Sequence, residues 1–275
     1  MMRVSVALAA LGLVSATPAT IIRRDAIPDY ALTYAPYTVI YSGEGWWPSE
    51  ITTHLAHVTP EVDSVAVADT ITLATLNSIT ADAYLTSNDN VEDDPAWLLS
   101  TENTPNTSGL SNAPATIIAA DKGDFVDVFY FYFYSYNHGT TFLGSRYGNH
   151  VGDWEHTMVR FVDGAPTHVY LSAHSGGYAY TYDASRKAGR YDAGSFSAAG
   201  GAGTGGAAQA SETVDWLYWG GHWGDAQLPD DDPRQNCIFD IECHYVEGPT
   251  GPNSKNLGRT EVCQDEDDCD IQDSI

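Results

Sequence analysis

The sequence predicts an all-β protein, mostly antiparallel, built as a β-sandwich-like single domain with long loops and few short helices. Three observations carry that expectation. One long segment alternates two kinds of aromatic side chain with period two, shorter apolar runs follow it, and Gly, Pro, Asn and Asp interrupt the chain where those runs end.

Taken in order, Arg3 is followed by an apolar run from Val4 to Val14 and then by Ser15-Ala16, the pattern of a signal peptide over residues 1–16. That run is shorter than the roughly 20 apolar residues that cross a bilayer, and no later segment approaches them, so no membrane span is expected. Arg23-Arg24 before Asp25 reads as a dibasic cleavage site, which makes 17–24 a pro-segment and 25–275 the β-rich domain. Residues 25–60 carry Pro28, Pro36, Pro48 and Pro60, with a strand-like run Tyr37-Thr38-Val39-Ile40-Tyr41 between them. Short helical turns are expected near Ser49 to His57 and Asp93 to Leu99. Residues 86–114, polar and interrupted by Pro95, Pro105 and Pro114, read as a long surface insertion. It contains the sequon Asn106-Thr107-Ser108, which makes Asn106 the candidate glycosylation site.

The strongest strand signal runs from Phe125 to Tyr136. Phe129, Phe131 and Phe133 point one way, into the core; Tyr130, Tyr132, Tyr134 and Tyr136 point the other, half buried or lining a groove. His156 to Val162, Thr167 to Ala173 and Tyr178 to Tyr182 then form an antiparallel meander. With Asp163-Gly164-Ala165-Pro166 as a four-residue loop, Glu155 faces His174 and Thr157 faces Ser172. One face then carries Glu155, Ser172 and His174, the other His156, Met158, Val169 and Leu171. Tyr178 falls beside His174 and Tyr180 beside Ser172. Ala193 to Ala210 is almost all Gly, Ala and Ser, a loop rather than a phosphate cradle, since no P-loop lysine follows. Cys237, Cys243, Cys263 and Cys269 form an even set in the last 40 residues, which in an oxidising compartment reads as two disulfides of open connectivity.

Charge narrows the partners. The chain carries 12 basic and 37 acidic residues, and loss of residues 1–24 removes Arg3, Arg23 and Arg24 but no acid. Such a surface repels polyanions, which disfavours nucleic acid and anionic membrane. It suits an exported protein and is compatible with a divalent cation.

The segment Asn149-His150-Val151-Gly152-Asp153-Trp154-Glu155-His156 resembles the signature of the vacuolar protein sorting-associated protein 62 family. So do Tyr34-Ala35-Pro36, Trp47-Pro48-Ser49 and His54-Leu55 near the front, and Ser172-Ala173-His174-Ser175-Gly176-Gly177 in the middle. Trp223-Gly224-Asp225, Asp232-Pro233-Arg234-Gln235 and Gly248-Pro249-Thr250-Gly251-Pro252 extend the likeness to residue 259. The resemblance implies no defined chemistry: the family name describes a sorting pathway. One departure stands out. Family members continue after a Ser-Ala pair into a Gly-Ser-His-Ala segment, whereas here Ser197-Ala198 leads into the Gly/Ala loop, which puts any site needing that histidine in question.

Three functions compete on these residues. A non-catalytic surface or carbohydrate-binding protein would use Tyr178, Tyr180, Trp219 and Trp223, the tryptophans having a core role as the alternative. A secreted hydrolase or lyase would use Glu155 and His174 as acid and base, or Asp153, Glu155 and His174 as ligands of a divalent metal, the one cofactor these residues suggest. His150 lies near that set, and His156 reads as a core histidine. A vacuolar sorting factor is the third, with a protein partner. Asp230-Asp231-Asp232 lacks calcium-loop spacing and no G-x-S-x-G elbow occurs, so neither a calcium loop nor a serine hydrolase is indicated. The location expected is extracellular, with the vacuole as the alternative.

Overall fold

The computed structural model describes residues 20–21, 27–41, 43–173, 176–187, 215–238 and 242–274. The signal-peptide segment, Arg23-Arg24, His174 and the Gly/Ala-rich loop lie outside these residues. Among the described residues the protein is mostly strand, in largely antiparallel sheets, as expected. A short strand, β1 (Thr20–Ile21), leads to α1 (Asp29–Thr33) and α2 (Ile51–Leu55). A small sheet follows from β2 (Val58–Val62), β3 (Val65–Ala66) and β4 (Tyr84–Ser87), with α3 (Leu73–Leu76) between β3 and β4. After α4 (Ala96–Leu99) come β5 (Thr116–Asp121), β6 (Val126–Asn137), the hairpin β7 (Thr140–Phe142) and β8 (Ser145–Tyr147), then β9 (His150–Val162), β10 (Ala165–Ala173) and β11 (Gly176–Thr181). The remaining elements are α5 (Tyr182–Lys187), the pair β12 (Cys237–Ile238) and β13 (Glu242–Cys243), and β14 (Ile271–Gln272). The main sheet runs β1-β5-β6-β9-β10-β11-β14, and only its last pairing is parallel.

The alternation in β6 fixes the two layers. Phe129, Phe131 and Phe133 enter the larger core, with Val58 and Leu85 of the small sheet, Leu55, Trp97 and the tryptophans Trp154, Trp216, Trp219 and Trp223. Tyr130 enters a second core on the opposite face with Ala31, Val159, Phe161, Val169 and Tyr182, and its hydroxyl donates to the Ala31 carbonyl at 2.5 Å. The sheet is therefore covered on both faces by different partners: the small sheet and α2–α4 on one, α1 and α5 on the other.

Several local expectations are corrected. Residues 37–41 form no strand. The 86–114 segment is partly core, because Trp97 and Leu98 of α4 are buried and Asn103 donates from Nδ2 to the Pro48 carbonyl at 2.8 Å. The small sheet of β2, β3 and β4 has no counterpart in the sequence reading. The hairpin after β9 turns on two residues rather than four: Asp163 and Gly164 take φ of 50° and 76°, the primed turn that Asp-Gly favours, and Val162 pairs with Ala165. A bulge at Thr167 then moves the register once, so Thr157 faces Leu171, not Ser172, and Val169 and Leu171 lie on the face of Thr157 and Val159 rather than on that of His156 and Met158. Tyr178 faces Leu171 and Tyr180 faces Val169.

The cysteines form two disulfides, Cys237–Cys243 and Cys263–Cys269, the first joining β12 to β13.

Two histidines are built into the core. His54 is fully buried, with Nδ1 3.2 Å from Ser135 Oγ and Nε2 3.1 Å from the Trp223 carbonyl; burial drives its pKa down to about 3. His156, buried among Phe129, Phe131 and Tyr170, is lowered to about 3 by burial and then by Arg259 and Lys255. An unfolded histidine takes up its proton below about pH 6.5, whereas these two resist until about pH 3. Their contribution is present above pH 6.5 and is lost as pH falls through that window. The urea midpoint should therefore drop between pH 6.5 and 4 by the equivalent of a few kcal/mol, with His54→Gln flattening the slope; an unchanged slope in that variant contradicts the assignment.

Candidate functional site

Three of the segments that carry the family-like motifs, 149–156, 223–225 and 232–235, contribute to one cleft of about 400 Å³. Its walls come from Tyr84, Thr86 and Ser87 of β4, Tyr136 at the end of β6, His150 and Val151 at the start of β9, Asp225 to Pro229, and Tyr245-Val246. Backbone contact makes this convergence possible. A Cβ on Gly152, which has φ +68°, would lie 2.2 Å from the Trp223 carbonyl oxygen, and one on Gly224 would lie 1.9 Å from that of Val151. Gly248 meets Gly224 in the same way. The motif glycines thus press three chain segments together and leave the next residue, Asp225, facing the cleft.

Polar bonds hold that arrangement. Asp225 Oδ1 accepts from the Ser87 backbone N–H at 3.0 Å, and its carbonyl accepts from Gly248 N–H at 2.9 Å. Asn149 Nδ2 donates to the His244 carbonyl at 2.6 Å. Gln235 Nε2 donates to the carbonyls of Leu228 and Tyr245, while its Oε1 accepts from Tyr245 N–H. Arg234 forks onto Asp232 through Nε and Nη2 at 3.0 and 2.8 Å. The Asp-Pro-Arg-Gln motif is therefore scaffolding for one cleft wall.

Inside the cleft the Asp225 carboxyl is pushed up to about 6, first by desolvation and further by the charge of Glu61, against the Ser87 hydrogen bond that lowers it. The Tyr84 hydroxyl donates to Glu247 at 2.9 Å and the Tyr245 hydroxyl to Glu92 at 3.0 Å. Burial pushes Tyr136 up to about 12. Among the described residues that line the cleft, Glu61, Asp63, Asp89 and Asp225 stand against one Lys or Arg side chain, Arg234, which Asp232 already engages. Such a lining repels anions and offers acceptors and aromatic rings.

The predicted site lies on the other face of the main sheet. Tyr132 pairs with Glu155 and Tyr134 with Asp153, so the two tyrosines and two acids share a face as the alternation implies. Tyr37, Tyr132, Tyr134, Glu155 and Ser172 line a groove of about 310 Å³, which adjoins one of about 300 Å³ reaching Pro105 and Leu110. The Ser172 hydroxyl donates to Glu155 and accepts from His156 N–H at 2.9 Å. Tyr178 is exposed beside Leu171, and Tyr180 is partly buried beside Val169. His174 is outside the described residues. Among the described residues no three His, Cys, Asp or Glu side chains gather into a metal-holding group. Trp219 and Trp223 stand in the core, 2% and 0% exposed with rings 5.6 Å apart, and present no face to a ligand. The candidate site that the sequence reading missed is Asp225. Its signal was a single acid following two motif residues, Trp223-Gly224, that have steric reasons to be there.

The family model for vacuolar protein sorting-associated protein 62 matches residues 115–198. Among curated proteins, the chain is 31% identical over 321 aligned positions to vacuolar protein sorting-associated protein TDA6 of Saccharomyces cerevisiae, covering 86% of this chain and 68% of the relative. It is 30% identical over 322 positions to vacuolar protein sorting-associated protein 62 of the same yeast, covering 88% and 68%. No solved structure gives a significant match.

Proposed function

The chain belongs to the vacuolar protein sorting-associated protein 62 family, and we propose that it is an exported protein whose Asp225 cleft binds a neutral, hydroxyl-rich ligand, a carbohydrate, without cleaving it. The observation that carries this reading is the lining. Carboxylates and tyrosines surround a concave space with one committed cation, which suits sugar hydroxyls and ring faces and rejects phosphate or sulfate. Export is supported by the signal-like N-terminus, the acidic composition and the two disulfides. Asn106 fits as a glycan acceptor, since it is exposed and its Oδ1 accepts from Ser108 Oγ at 2.6 Å. The vacuole is the alternative destination, on the printed names of the yeast relatives, and a sorting role with a protein partner is the alternative activity.

Titration of neutral oligosaccharides tests the reading. Wild type should bind at least one, and Asp225→Asn, which keeps the acceptor for Ser87 but loses the charge, should weaken it about tenfold or more, the cost of roughly one charge-assisted hydrogen bond. No binding to any neutral glycan, or equal binding by the variant, removes the proposal. A second reading rests on the Asp225 pKa near 6: a carboxyl protonated in mild acid is the proton donor a glycoside hydrolase needs. Release of reducing ends from a bound glycan would replace the non-catalytic reading with this one.

A further inference from the structure

Three of the twelve basic residues of this acidic chain meet inside the protein at one buried carboxylate. Asp127, 0% exposed, accepts from Lys122 Nζ at 2.7 Å and from Arg160 Nε and Nη2 at 2.8 and 2.9 Å, which occupies both its oxygens. Arg259 is the third cation, 1% exposed. Its Nη1 donates to the Lys255 carbonyl at 3.1 Å, while Nε and Nη2 have no hydrogen-bond partner among the described residues. Its guanidinium lies 4.9 Å from the centre of the Phe129 ring and 4.7 Å from that of Tyr170.

The neighbours share that condition. The His156 ring, 5.8 Å from the Tyr170 ring, is buried, and neither ring nitrogen is hydrogen-bonded among the described residues. The Tyr170 hydroxyl is buried close to the Gln264 backbone. Glu266, the other acid whose charge reaches Arg259, has its carboxylate engaged by Thr260 and Asn256. A buried charge without a contacting counterion is strongly destabilising, and unsatisfied donors beside it add to that cost.

We propose that Arg259, His156 and Tyr170 enclose a small inorganic anion, a halide, against the Phe129 face of the main sheet. One negative charge offsets the surplus of cations around Asp127 and accepts from the guanidinium, the imidazole and the phenol together. Water would satisfy the neutral groups but add no negative charge beside the guanidinium.

The test uses the full chain. Crystals soaked in bromide should show an anomalous peak in contact with Arg259 Nε and Nη2. The melting temperature should rise saturably, by about 2–4 °C, when chloride replaces gluconate at constant ionic strength. Arg259→Met should abolish the chloride response; should that variant not fold, Tyr170→Phe should at least halve it. Bromide found only on the surface, together with equal melting temperatures in chloride and gluconate, overturns the proposal.

Discussion

Gly152→Ala should lower the melting temperature by about 10 °C or more, the equivalent of roughly 4 kcal/mol for a chain of this size. Two costs combine. At φ +68° an alanine is held in the left-handed region, and its Cβ would sit 2.2 Å from a carbonyl oxygen that belongs to backbone and cannot swing away. Trp223, the owner of that carbonyl, is packed against Phe133, Trp154, Trp216 and Trp219, and the same oxygen faces His54 Nε2. Relief by movement would therefore open the core. Gly220→Ala is the control: its Cβ would meet only the Ala81 methyl at 3.5 Å, an ordinary contact, and should cost within about 1 kcal/mol. Equal losses in the two variants would mean that the close approach of β9 to the Trp223 segment is not what assembles the cleft.

Asp225→Asn should stabilise the protein at neutral pH by about 1–3 kcal/mol. The folded carboxyl titrates near 6 and the unfolded one near 3.8, so the folded state holds more protons between those values. Wild-type stability from this group is present at low pH and is lost as pH rises from about 4 to 6. The difference between variant and wild type should be small at pH 4 and full above pH 6.5. Subtracting the two curves isolates Asp225 from the buried histidines, whose effect in the same range has the opposite sign. A variant less stable than wild type at pH 7 would show that the carboxylate is a structural ion pair rather than a group held uncomfortably for a ligand.

The main sheet was legible because period two is a physical property of pleated strands, and β6 writes it with two chemically distinct rows. Phe129, Phe131 and Phe133 and the opposing Tyr130 each found the face that the alternation implies, whereas Tyr136, at the end of the strand, packs in the phenylalanine core instead of with the tyrosine row. The meander register was not legible. A four-residue loop and a two-residue turn both fit Asp163-Gly164-Ala165-Pro166, and a bulge at Thr167 leaves no mark in composition. The small sheet escaped notice because Val58 to Val62 contains Pro60; the short helix α4 falls where a turn was expected, but its burial was hidden because Trp97 and Leu98 sit in a polar segment. Asp225 was hidden for a different reason. Sequence spacing placed it about 75 residues from His150, and only the stacked backbones of Gly152 and Gly224 bring those segments together. On the predicted side, Asp153 and Glu155 do share a face with Tyr132 and Tyr134.

Where the sugar sits decides the account. The tightest-binding neutral oligosaccharide should be crystallised with the full chain, and its density should lie in the cleft between Tyr84, Tyr136 and Tyr245, with a hydroxyl on the Asp225 carboxyl. Density in the Tyr37–Tyr132–Tyr134 groove, with the Asp225 cleft holding none, would contradict it.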